Sequence, residues 1–109
     1  MNWKPASEEE IRELIDRARE RMNMEQARAW ERVRIPPEKW RLDPWGNKGN
    51  GFWVVALVGR WVVWYNDIED GFNLSRYASY GAIDEYWCNQ DELDAVVYDI
   101  VNGLRGGSE

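Results

Sequence analysis

The chain has 109 residues, with 14 Lys and Arg against 20 Asp and Glu, no histidine, one cysteine and a formal net charge of -6. That length suits one domain with a single core, and 44% hydrophobic with 31% charged residues is a globular balance rather than a disordered one. The longest apolar run, Phe52 to Val58, is too short to cross a bilayer, and absence of histidine removes the commonest general base and metal ligand, so composition argues against a membrane span and against most enzymes.

The opening stretch, MNWKPASEEE, lacks the apolar segment of a secretory signal, and the single Cys88 cannot form an internal disulfide. Together they point to a reducing, cytoplasmic setting. Ser7-Glu8-Glu9-Glu10 is a capping box, in which Ser7 accepts from a free amide and Glu10 reaches back. Ile11, Leu14, Ile15, Ala18 and Met22 follow at helical spacing. Asn23-Met24-Glu25-Gln26 repeats the cap pattern before Ala27, Trp30 and Val33. The segment is one helix over about residues 8–34 or two broken near Asn23, and the second cap favours the break. Ile35-Pro36-Pro37 ends it, because a residue before proline is pushed out of the helical region.

Glu38 to Gly51, with Trp40, Pro44, Trp45 and several glycines, is expected as a loop anchored by two indoles. Phe52–Val58 and Trp61–Tyr65 have the valine and tryptophan content of strands, and Gly59-Arg60 fits a type II′ hairpin turn. That register sets Val58 opposite Trp61, Ala56 opposite Val63 and Val54 opposite Tyr65. Phe52, Val54, Ala56 and Val58 then share one face and Trp53, Val55 and Leu57 the other, so this strand is central or covered on both sides. Glu69-Asp70-Gly71 is a turn, with Gly71 available for positive φ. Phe72 to Ala78 follows as a more polar edge strand. Asn89 caps a last helix whose first turn carries acids that suit the helix dipole. Leu93, Val96, Val97, Ile100 and Leu104 form its buried stripe, Gly103 marks its stop, and the tail from Gly106 frays. The expected fold is α+β: an N-terminal helix or helix pair, an antiparallel sheet of about three strands, and a C-terminal helix packed on one face. All of residues 1–109 form one domain, with a helical segment over 7–35, the sheet over 52–79 and the last helix over 90–104.

The charge is unevenly placed. Residues 1–41 sum to +1 and residues 42–109 to -7. Between residues 66 and 99, Asp67, Glu69, Asp70, Asp84, Glu85, Asp91, Glu92, Asp94 and Asp99 face only Arg76. No basic stripe is present for nucleic acid. An acidic region repels nucleic acid and anionic lipid and speeds encounter with basic partners.

Five features bear on chemistry. The stretch from Asn66 to Asn73 has the oxygens of a calcium loop, but Ile68 and Tyr77 fall where an EF-hand needs ligands, so it reads as a hairpin turn. Asp84-Glu85-Tyr86-Trp87 sets two carboxylates beside an indole; with Asp67, Glu69 and Asp70 it can build one acidic, aromatic-studded surface, and Tyr and Trp dominate interface hot spots. Cys88, without a histidine to activate it, reads as a small buried residue. Trp53, Trp61 and Trp64 belong to the sheet's core; Trp3, Trp40, Trp45 and Trp87 either cover core edges or line a ligand pocket. Asn73-Leu74-Ser75 matches a glycosylation triplet, which without a secretory signal carries no meaning.

The stretch from Phe52 to Asp94, notably WYNDIEDGFNLSRYASYG followed by DEYWCNQDEL, resembles a small family of uncharacterised bacterial proteins. In size and acidity the whole chain is similar to the acidic immunity proteins that neutralise toxins in interbacterial competition. The acidic, aromatic region itself points to a non-enzymatic, protein-binding domain of that immunity or inhibitor type, with no cofactor, no metal, and neither nucleic acid nor membrane as partner. Its partner would be basic, such as a nuclease-like toxin, held by Asp67, Glu69, Asp70, Asp84, Glu85 and Trp87. Two alternatives stand beside it: a small enzyme or ligand-binding module using carboxylates in a Trp-lined pocket, and a phage-type inhibitor mimicking nucleic acid.

Overall fold

Two capping boxes in succession organise the N-terminal third. The computed structural model describes residues 4–46 and 50–104, apart from the Leu104 side chain. Helix α1 spans Glu8–Arg21 and α2 spans Met24–Val33. Ser7 Oγ accepts from the Glu10 amide while Glu10 returns to the Ser7 amide, and Asn23 and Gln26 do the same. Each box satisfies two amides that a helix start leaves orphaned. The helical segment is therefore two helices, broken at Asn23.

The sheet has four strands, not about three, in the order β1-β2-β3-β4, with antiparallel neighbours throughout. The additional one is β1, Arg34–Trp40, inside a stretch expected to be a helix end and a loop. Prolines end a helix, but they are tolerated in an edge strand, where a missing N–H need break no ladder. Here Ile35, Pro36 and Pro37 span what Val55 alone spans on β2, so both prolines sit in a bulge.

Strands β2 (Phe52–Val58) and β3 (Trp61–Asn66) pair as expected near the turn, where Val58 faces Trp61 and Ala56 faces Val63. Gly59 takes φ +59 in the Gly59-Arg60 turn. Beyond Ala56 the register changes: Val54 faces Trp64, not Tyr65, because Val55 is an extra residue. A bulge puts two successive side chains on one face. Val55 and Ala56 therefore both join the helix-side core, whereas Phe52, Val54 and Leu57 point to the opposite face. Strand β4, Gly71–Arg76, is shorter than expected and lies at the edge.

Helices α1, α2 and α3 (Leu93–Asp99) cover one face over a core of Ile11, Ala18, Trp30, Val63, Phe72, Leu93 and Val97. The last helix begins after Glu92, not Asn89, and runs into a wider π-type turn over Ile100–Leu104, in which Gly103 does not take positive φ. The tail from Gly106 and the Trp3 position lie outside the described residues. No described helix is long and apolar enough to cross a membrane.

Among the described residues no helix covers the opposite face. Trp40, Phe52, Val54, Val62 and Trp64 are covered there by loop residues Leu42, Tyr77, Ile83 and Tyr86. Ile83 N–H donates to Arg41 O and Asp84 N–H to Arg76 O, so one segment reaches from the end of β1 to the end of β4.

Candidate functional site

The segment from Asp84 to Asp91, here the strap, runs beside β4 without forming a regular ladder. It is held by side chains of the sheet. Ser75 Oγ accepts from Trp64 Nε1 and donates to Glu85 O, both at 2.8 Å. Asn73 Nδ2 donates to Asn89 O at 3.2 Å, and its Oδ1 accepts the Asn89 amide at 3.0 Å. Asn66 Nδ2 donates to Trp87 O at 2.9 Å. The Arg76 amide donates to the Glu85 carboxylate, and the Phe72 amide donates to Asp91 O. Buried polar groups must be paired, so the polar character of β4 reflects the strap's backbone rather than solvent. Asn73, at 1% exposure, is not a glycosylation acceptor.

Gly71 makes this approach possible. A Cβ there would lie 2.2 Å from Asn89 O and 2.3 Å from Gln90 Cα. Its φ is not positive; Asp70 takes the left-handed conformation instead, at φ 61. Asn66 Oδ1 accepts the amides of Ile68 and Glu69, which closes the turn from within. Among the described residues no group of three or more His, Cys, Asp or Glu is placed to share a metal ion.

Between the strap, β4 and α3 lies an open groove of about 370 Å³. Trp61, Phe72, Leu74 and Val96 give it an apolar lining, while Glu85, Asp91 and Asp99 place three carboxylates around it against Arg76, the one cation of the lining among the described residues. Asp99 is the last residue of α3, whose last turn has no basic residue. The Arg76 guanidinium lies 5.0 Å over the Trp61 ring. Trp87 is 49% exposed at this groove.

The six residues expected to form one face are divided. Glu85 and Trp87 line the groove. Asp84 is exposed, and its backbone N–H ties it to Arg76 O at the end of β4. Asp67 is buried, at 7% exposure, and its Oδ2 accepts the Ala6 amide at 2.8 Å. With Trp53 Nε1 donating to Ala6 O, it fastens the approach to α1 onto the sheet. Asp70 accepts from the Tyr65 hydroxyl and shares a separate hollow with Lys4, Glu13 and Arg17. Burial first, and then Asp70, pushes the Tyr65 hydroxyl up to about 12. Glu69 is half-buried, and its carbonyl accepts from Gln90.

The unassigned indoles do not gather into one pocket. Trp40 is buried beneath Tyr77 and Tyr80, and Trp45 stacks on Tyr86 with ring centroids 4.2 Å apart. Cys88 is exposed rather than buried, because the strap is anchored through the backbone of its neighbours Trp87 and Asn89. Sequence reasoning missed Trp61, Arg76, Asp91 and Asp99 as groove residues. One signal was available: Asn73 and Ser75 sit two apart and so share a face of β4, a polar pair beside the apolar strands β2 and β3.

No protein-family model, curated protein or solved structure matches this chain.

Proposed function

We propose that the chain is a non-enzymatic, protein-binding domain of the immunity or inhibitor type, acting in the cytoplasm on a basic partner such as a nuclease-like toxin. The observation that carries this reading is the groove, where three carboxylates and two indoles meet around a single arginine. Charged rims accelerate encounter, and desolvated aromatics slow dissociation. An exposed free thiol at Cys88 suits a reducing compartment. The binding face differs from the one the sequence suggests: Glu85 and Trp87 stay in it, Asp91 and Asp99 join it, and Asp67 leaves it.

The test is association kinetics with the partner captured from the native cell. Asp91→Lys combined with Asp99→Lys should slow association by about tenfold at low salt and flatten its salt dependence, as expected when electrostatic steering is lost. Association indifferent to both the reversal and the salt would refute the reading.

A further inference from the structure

We propose, resting on the protein-binding reading above, that the groove is built to take an arginine side chain of the partner, its guanidinium set against Trp87 and paired with Asp91 and Asp99. The groove already holds one guanidinium against an indole. Arg76 lies over Trp61 on the groove's lining, 5.0 Å from the ring. The other indole, Trp87, makes no ring contact among the described residues and stands half exposed. The carboxylates of this region divide in the same manner. Glu92 and Asp94 are taken by Arg21 at 2.6 and 2.9 Å, whereas Asp91 and Asp99 make no ion pair among the described residues and line the groove. Arg76 lines the same groove but lies over Trp61, so one indole and two carboxylates there are left with neither ring contact nor ion pair among the described residues.

Arginine fits this setting better than lysine. Its guanidinium is planar, weakly hydrated and able to stack on an indole while its edge donates to carboxylates, whereas an ammonium is a compact and strongly hydrated charge. The groove is open and about 370 Å³ in volume, which suits one long side chain entering from a protein surface rather than an enclosed small molecule.

The test uses the full chain labelled with nitrogen-15 and an end-blocked tri-arginine peptide, with the tri-lysine peptide as its counterpart, at low ionic strength. The Trp87 indole N–H resonance, assigned from Trp87→Phe, should shift on titration. Saturation should need roughly three- to fivefold less tri-arginine than tri-lysine, the range expected for an exposed cation–π contact. Asp91→Asn and Asp99→Asn, which keep the side-chain shape, should each weaken tri-arginine binding by roughly two- to threefold. Equal response to the two peptides, a response confined to indoles outside the groove, or indifference to both Asn variants overturns the arginine site. Partner capture is read separately, so it can survive that failure; loss of capture without loss of the peptide response would instead count against the protein-binding reading.

Discussion

Replacing Gly71 by alanine tests how the strap and the groove depend on one another. The new Cβ would stand 2.2 Å from Asn89 O, where ordinary contact begins near 3.4 Å, so the strap must retreat by about 1 Å. That retreat takes the two Asn73–Asn89 bonds, at 3.2 and 3.0 Å, and the 2.8 Å bond from the Phe72 amide to Asp91 O out of hydrogen-bonding range. Three such bonds at about 1 kcal/mol each give about 3 kcal/mol. The stiffer unfolded chain of an alanine variant offsets up to ~1 kcal/mol of that. The net loss of about 2–3 kcal/mol is a large share of the ~5–15 kcal/mol that holds a domain folded, and lowers Tm by roughly 10–20 °C. Gly59→Ala is the control: nothing lies within 4 Å of its Cβ, but φ is +59, so it costs about 1 kcal/mol in backbone strain alone and leaves the groove intact. Urea unfolding followed by tryptophan fluorescence gives both values, and amide exchange at Phe72 and Asn89 should accelerate only in Gly71→Ala. A Gly71→Ala protein that loses no more than Gly59→Ala, with unchanged exchange at those amides, would refute the close packing of the strap.

Three further outcomes are expected. Asp67→Ala, which removes the acceptor of the Ala6 amide, should cost about 1–3 kcal/mol in urea unfolding, whereas Asp84→Ala, whose carboxylate is exposed, should stay within ~0.5 kcal/mol; a reversed order would contradict their placement. Asn23→Ala should destabilise by about 1 kcal/mol through loss of its capping box, seen as a lower urea midpoint with an unchanged slope, and Asn23→Gly by much less. Tyr65, raised to about 12 by burial and by Asp70, favours its protonated form in the folded state. Its contribution is complete below the unfolded value near 10 and is lost as pH rises towards about 12. Tyr65→Phe should flatten that alkaline decline, and an identical slope in the two proteins would remove Tyr65 as its source.

Local chemistry made much of the fold legible. Ser7 with Glu10 and Asn23 with Gln26 are complete within four residues, so the helix pair can be read from the chain. Gly59-Arg60 specified the hairpin and its register as far as Ala56 for the same reason. Strand β1 was hidden because Pro36 and Pro37 are local breakers, and only pairing with β2 makes an edge strand of that stretch. The Val55 bulge was hidden because both faces of β2 are apolar, so alternation carries no mark of an extra residue.

The candidate site was less legible than the fold. Acidity concentrated after residue 66 is a property of the sequence, and it pointed to this half of the chain. Which carboxylates share a surface was decided by bonds from Asn66, Asn73 and Ser75 to backbone atoms 10 to 21 residues away. Those bonds draw the strap against β4, set Trp87 and Asp91 beside Trp61 and Asp99, and leave Asp67 buried under Ala6. Helix caps and turns are settled by neighbours along the chain; a groove between a strand edge, a strap and a helix exists only once distant polar groups have found one another.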